Sequence, residues 1–144
     1  MPKFVMFLFV SATLAAQNES FSLQIASAVA GQSYQAKGAA FVFRSLGCAD
    51  PAKVETSGKA EGRVNGQRRT IPLKTVQVLR PGTFAIFREW PVEGNWIVNL
   101  TAKCGSASAG ALVVMGERGP NREASKFYSR PATEAEVEGA LGAK

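Results

Sequence analysis

From Lys53 to Arg63 the odd positions Lys53, Glu55, Lys59, Glu61 and Arg63 are charged, while the even positions carry Val54, Thr56, Gly58, Ala60, Gly62 and then Val64. Period two marks a strand that is wet on one side, because successive side chains of an extended backbone point to opposite faces. Small residues on the dry face predict bulky side chains from an opposing sheet pressing against it, with the glycines at bulges or a bend. Asn65-Gly66 follows at once. Between two alternating segments this pair is the strongest short-range hairpin signal, since both residues tolerate the positive φ of a tight turn. Gln67 to Leu73 is the predicted return strand. A long one-sided strand feeding such a turn directs the chain towards an antiparallel, largely β architecture.

The rest of the chain repeats this pattern. Phe21, Leu23 and Ile25 alternate with Ser22 and Gln24, and Phe41 to Phe43 form a short aromatic and β-branched run closed by Gly47 and Cys48. Asp50-Pro51 marks a turn. Lys74 to Leu79 offers Val76 and Val78, Pro81-Gly82 turns the chain, and Thr83 to Phe87 brings Phe84 and Ile86 to one face. After Glu93-Gly94-Asn95, Trp96, Val98 and Leu100 share one face, and Ile97, Asn99 and Thr101 the other. Ala111 to Met115 is the last apolar run. No segment before residue 120 has a helical period, so the expected class is all-β: an antiparallel sandwich of about seven or eight strands over residues 17–119. Residues 120–144 form an expected C-terminal extension. In it, Thr133 and Glu136 behind Pro131 make a capping box that predicts one short helix over Thr133 to Leu141.

Residues 1–16 read as a signal peptide: Lys3 precedes the apolar run Phe4 to Val10, and small residues around Ala12 to Ala16 suit cleavage after Ala16. A transmembrane anchor needs roughly 20 apolar residues, more than this run supplies, and no basic stop-transfer flank follows. The chain should therefore be exported, periplasmic or secreted, with no membrane span once the signal is removed. Cys48 and Cys104 are the only cysteines. In an oxidising compartment such a pair points to a structural disulfide. The alternative is a reactive or metal-binding pair, for which the chain offers neither histidine nor nearby carboxylates.

Gly82-x-Phe84, followed by Pro91-x-x-Gly94-x-Trp96-x-Val98-x-Leu100, resembles the turn, tight loop and final core strands of small exported immunoglobulin-like domains, including the YtkA-like family. The resemblance runs from Pro81 to Lys103, and it implies an immunoglobulin-like fold at the cell envelope. Some YtkA-like proteins are associated with metal or respiratory-complex handling, a role that leans on histidines. This chain has none.

The missing histidine removes Ser-His and Cys-His nucleophile activation together with the commonest metal ligand. Neither a metal site nor a cofactor is expected. Carboxylates are also sparse in type, Asp50 being the single aspartate. Glu89 and Glu93 beside Trp90 are the one pair with the residue types of a glycosidase, although exposed turn charges fit them better. Positive charge gathers in the middle, where Lys37 to Arg88 holds ten Lys or Arg against three acids. Arg63, Arg68 and Arg69, with Lys59, surround the hairpin turn and form the candidate binding patch for an anionic envelope polymer or an acidic protein; the competing reading is a solvated hairpin. An exported chain is not expected to meet nucleic acid. Trp90, next to Pro91, is the candidate surface aromatic, placed to stack a sugar ring or anchor an interface, whereas Trp96 should be core. Asn18-Glu19-Ser20 and Asn99-Leu100-Thr101 match the glycosylation sequon, but neither is expected to be modified. The expectation is a non-catalytic binding or structural module of the envelope. The alternative is an envelope enzyme that uses carboxylates or a thiol on carbohydrate or peptide.

Overall fold

The computed structural model describes residues 20–26 and 36–142. The expected signal peptide, its cleavage point and the sequon asparagine Asn18 lie outside the described residues. Nine strands are present among them: β1 (Ser22–Ile25), β2 (Phe41–Leu46), β3 (Glu55–Val64), β4 (Gln67–Leu73), β5 (Thr75–Gln77), β6 (Thr83–Ile86), β7 (Asn95–Cys104), β8 (Ala107–Gly116) and β9 (Gly119–Tyr128), followed by helix α1 (Glu134–Gly142). One sheet has the order β1-β2-β6-β5 and the other β4-β3-β7-β8-β9, with every neighbouring pair antiparallel. The protein is an all-β sandwich with one short C-terminal helix.

Most of the inward periods predicted from the sequence are found in the core between the sheets, but Val76 is 41% exposed and Val78 packs in a separate cluster with Val42 and Ala85. Phe21, Leu23 and Ile25, Phe41 and Phe43, and Phe84 and Ile86 face Trp96, Val98 and Leu100 of the opposite sheet. Phe43 and Phe84 stack with centroids 5.5 Å apart. The hairpin between β3 and β4 turns on Asn65 and Gly66 with φ of 52° and 77°, as the Asn-Gly pair requires. One residue, Lys74, separates β4 from β5, so the chain changes sheet there. The Thr56 hydroxyl donates to Thr75 Oγ1 at 2.7 Å and ties β3 to β5 at that crossing.

The explanation for the small residues of β3 needs two corrections, and the first is that β3 pairs with β4 and β7 in unbroken register through Gly58 and Gly62, so neither glycine marks a bulge. At Gly58 a Cβ would touch Ile86 of the opposite sheet as well as Leu100, as anticipated. Over Gly62, however, the bulky group is Trp96, its cross-strand partner in the same sheet. A Cβ on Gly62 would lie 2.3 Å from the indole Cε3. An indole laid flat across a neighbouring glycine fills the space which that residue leaves.

One further difference concerns the end of the chain. The sandwich does not stop at Gly119-Pro120: β9 continues it as the outer strand of the five-stranded sheet. Its side chains are mostly exposed, so it carries no inward apolar period to read. Its ladder with β8 is interrupted, since Asn121 and Lys126 pair with Val114 and Leu112. Ser125 fills the gap, accepting the Val114 N–H at 3.0 Å while its hydroxyl donates to Asn121 O at 2.7 Å. Helix α1 then lies on the outer face of this sheet, where Val137 and Leu141 cover Ile97 and Leu112. The capping box forms as predicted: the Thr133 N–H donates to Glu136 Oε1 at 2.9 Å and the Glu136 N–H donates to Thr133 Oγ1 at 3.2 Å.

The segment leading into α1 crosses β8 at Gly110, where a Cβ would sit 2.5 Å from the Arg130 carbonyl oxygen. Gly110→Ala should therefore lift the helix approach and destabilise the protein by about 2 kcal/mol, the usual scale of overpacking. Thermal unfolding should show a midpoint lower by roughly 10 °C. An unchanged midpoint would contradict this packing.

At the opposite end from the β3–β4 turn, Cys48 just after β2 and Cys104 at the end of β7 stand at disulfide distance, with Cα atoms 6.0 Å apart. The pair links one sheet to the other.

Candidate functional site

The arginines of the hairpin do not form one patch. In the β3–β4 register Arg63 pairs with Arg68 and Gly62 with Arg69. Consecutive residues of a strand face opposite ways, so Arg63 and Arg68 share the outer face while Arg69 belongs to the other. This corrects the expectation of three guanidinium groups acting together. Arg69 is exposed and has no ion pair among the described residues.

Arg63 and Arg68 are already occupied. Arg63 Nη2 lies 2.7 Å from Glu138 Oε2, and Arg68 Nη1 lies 2.7 Å from Glu134 Oε1 and also contacts Glu138. Arg68 Nη2 reaches Glu61 Oε2 at 3.0 Å, where the Thr70 hydroxyl donates at 2.6 Å, and Lys59 Nζ stands 3.6 Å from Glu61 Oε1. Three bases, Lys59, Arg63 and Arg68, thus meet three acids, Glu61, Glu134 and Glu138. Two glutamates of α1 fold back onto part of the basic middle of the chain. Burial pulls the Arg68 pKa down, but the hydrogen bonds that it donates to Glu134 and Glu61 outweigh this and hold the guanidinium above its ordinary value.

Glu61 was read from the sequence as a charge on a wet face, yet its side chain is only 2% exposed. The reason is α1, which covers that face. Removing one partner of a buried pair leaves the other charge uncompensated. Arg68→Ala, which leaves the buried Glu61 carboxylate with the more distant Lys59 and the Thr70 hydroxyl, should accordingly cost about 3 kcal/mol in urea unfolding. Glu134→Ala, which breaks a mostly exposed pair, should cost under about 1 kcal/mol. Equal effects would refute this ordering. The sequence held one clue to the network: Glu134 and Glu138 are four residues apart and so share one side of a helix.

A second contact holds the start of α1. Arg130 grips Glu136 through its Nη1 and Nη2 at 2.6 and 3.1 Å, and with the Thr133 N–H this keeps the Glu136 carboxyl at a pKa of about 2. A carboxyl held below its unfolded value near 4.5 stabilises the fold above that pH and loses the contribution as pH falls towards 2. Helical circular dichroism should fall through that window in the wild type. In Glu136→Gln that phase should be absent.

Trp90 is not the surface aromatic that its neighbour Pro91 suggested. It is 6% exposed and packs in the core cluster. The β6–β7 loop is wound tightly around it: Arg88 Nε donates to Trp90 O at 3.2 Å, Arg88 Nη2 donates to Pro91 O at 3.0 Å, and the guanidinium lies 6.0 Å above the indole. Trp96 Nε1 closes the loop by donating to Glu93 O at 2.7 Å. Trp90 still forms part of the wall of a cavity of about 720 Å³ at the loop end of the sandwich, with Arg88, Val92, Trp96, Met115 and Glu117. Val92, 86% exposed, stands at its lip. Glu89 and Glu93 are both exposed and neither lines the cavity; its carboxylate is Glu117. Neither glutamate therefore contributes a carboxylate to this cavity, as a glycosidase pair there would have to.

Among the described residues no cluster of three or more His, Cys, Asp or Glu could hold a metal ion, and no helix is long and apolar enough to cross a membrane. Compared with known proteins, the chain matches no family model, no curated protein and no solved structure.

Proposed function

We propose that the protein is an exported, non-catalytic binding or structural module of the cell envelope, built as an immunoglobulin-like sandwich. The observation that carries this reading is the Cys48–Cys104 pair, which links β2 to β7 across the sheets. Such staples persist in oxidising compartments, and this one leaves no free thiol among the described residues for chemistry. The strand order supports the immunoglobulin-like reading. Strands one, two, six and five form one sheet, and three, seven and eight lie together in the other, matching the ABED and CFG sheets of that architecture. Binding would use the loop end, where Val92 stands free beside the indole-lined cavity and the exposed Arg88 supplies a cation for an acidic protein or anionic polymer.

Incubating the purified protein with isolated envelope, then sedimenting it, tests the reading. The wild type should co-sediment without releasing sugar or peptide fragments, and Val92→Asp combined with Arg88→Ala should stay in the supernatant. Release of fragments by the wild type would make it an enzyme. Failure to co-sediment would remove the binding role.

A further inference from the structure

Helix α1 is a weak occupant of a well-formed surface. It has nine residues, two of them glycines, and two buried apolar anchors, Val137 and Leu141. A helix this short is marginal on its own, and glycine weakens it further. Even while paired, Glu134 remains largely exposed and Glu138 about half-exposed. Two polar atoms of the receiving sheet are buried without a hydrogen-bond partner: Arg68 Nε, a donor, and Asn99 Oδ1, an acceptor on a residue 8% exposed. Asn99 lies two residues from Ile97 on β7 and shares the face that α1 covers. Leaving such atoms unpaired works against the docked state.

The receiving surface, by contrast, is fixed. Ile97 and Leu112 sit on central strands, and Glu61, Thr70 and Lys59 hold Arg68 and its surroundings in place. We infer that the outer face of the five-stranded sheet is a helix-binding site for an acidic amphipathic helix of a partner protein, with α1 as its exchangeable internal occupant. The spacing of α1 defines the ligand: carboxylates at i and i+4 for Arg68 and Arg63, aliphatic side chains at i+3 and i+7 for Ile97 and Leu112. A partner that also offers a donor to Asn99 would outcompete α1, because it satisfies an atom that α1 leaves unpaired. The start of α1 stays anchored by Arg130 and the capping box, so the rest can lift away without losing its attachment. This inference goes beyond the binding-module reading, because its site lies on the outer sheet face, apart from the loop end.

The probe is a labelled peptide of this chain's sequence from Ser129 to Lys144, carrying Gly139→Ala to strengthen the helix. Full-length protein with Val137→Asp and Leu141→Asp, whose own helix cannot dock, should bind it at least tenfold tighter than wild type by fluorescence anisotropy. Charge reversal in the peptide, Glu134→Lys with Glu138→Lys, should weaken binding at least tenfold. Equal binding by wild type and variant, indifference to charge reversal, or no saturable binding would each overturn the proposal. Hydrogen exchange on the unaltered protein gives a reading independent of the variant: amides from Val137 to Leu141 should exchange at least a hundredfold faster than those of Val98 and Leu112. Protection of α1 equal to that of the sheets would overturn it as well. Peptide exchange without envelope retention would discard the envelope role and keep this site; retention without exchange would do the reverse.

Discussion

Replacing Gly62 by alanine should lower the unfolding free energy by about 3 kcal/mol, more than a methyl group costs at most core positions. The added carbon is fixed by the backbone and meets the Trp96 ring at 2.3 to 2.6 Å, so the indole has to leave its seat. Trp96 cannot swing freely, because its Nε1 is bonded to the Glu93 carbonyl and its ring is buried in the main core. Displacing it forfeits much of the burial that a tryptophan contributes, for which complete truncation costs about 3–5 kcal/mol. Gly62→Ala with Trp96→Leu should recover part of the loss, since the smaller side chain clears the new carbon. Urea unfolding of the two variants, followed by far-ultraviolet circular dichroism, measures both quantities. If the double variant is no more stable than Gly62→Ala alone, the contact between these residues is not the cause.

Cys48→Ser with Cys104→Ser should lower stability by about 4 kcal/mol, the chain-entropy value for a closed loop of this length. The cysteines are 56 residues apart in sequence. A domain of this size is commonly stable by roughly 5–15 kcal/mol, so the reduced protein would retain its fold with little margin at 37 °C. Denaturant midpoints of the oxidised protein, the reduced protein and the double variant are the measurement. The reduced protein and the variant should agree with each other. A reduced protein as stable as the oxidised one would show that the staple contributes nothing.

Features set by local pattern were legible in the sequence. The alternation in β3, the Asn65-Gly66 turn, the inward faces of β1, β6 and β7, and the Thr133–Glu136 capping box each depend on residues a few positions apart. The Cys48–Cys104 pairing was legible for a different reason: two cysteines allow one partnership. Strand β9 was not legible, because an edge strand with both faces largely wet lacks the apolar period that reveals a strand. The candidate site was harder to read. Arg68 and Arg69 are adjacent in sequence, but the period-two geometry already evident in β3 separates their side chains. Their acidic partners lie about seventy residues further on and arrive only when α1 docks, which no local pattern announces. Trp90 was misplaced because a neighbouring proline suggests an exposed turn, whereas Arg88 folds that turn back over the indole.

One measurement tests the proposed export and the link between the sheets together: intact mass of the protein recovered from cells, alkylated under denaturing, non-reducing conditions. The predicted species lies outside the cytoplasm, begins at Gln17 and carries no alkyl group on Cys48 or Cys104. A cytoplasmic chain that begins at Met1 with both cysteines alkylated would contradict it.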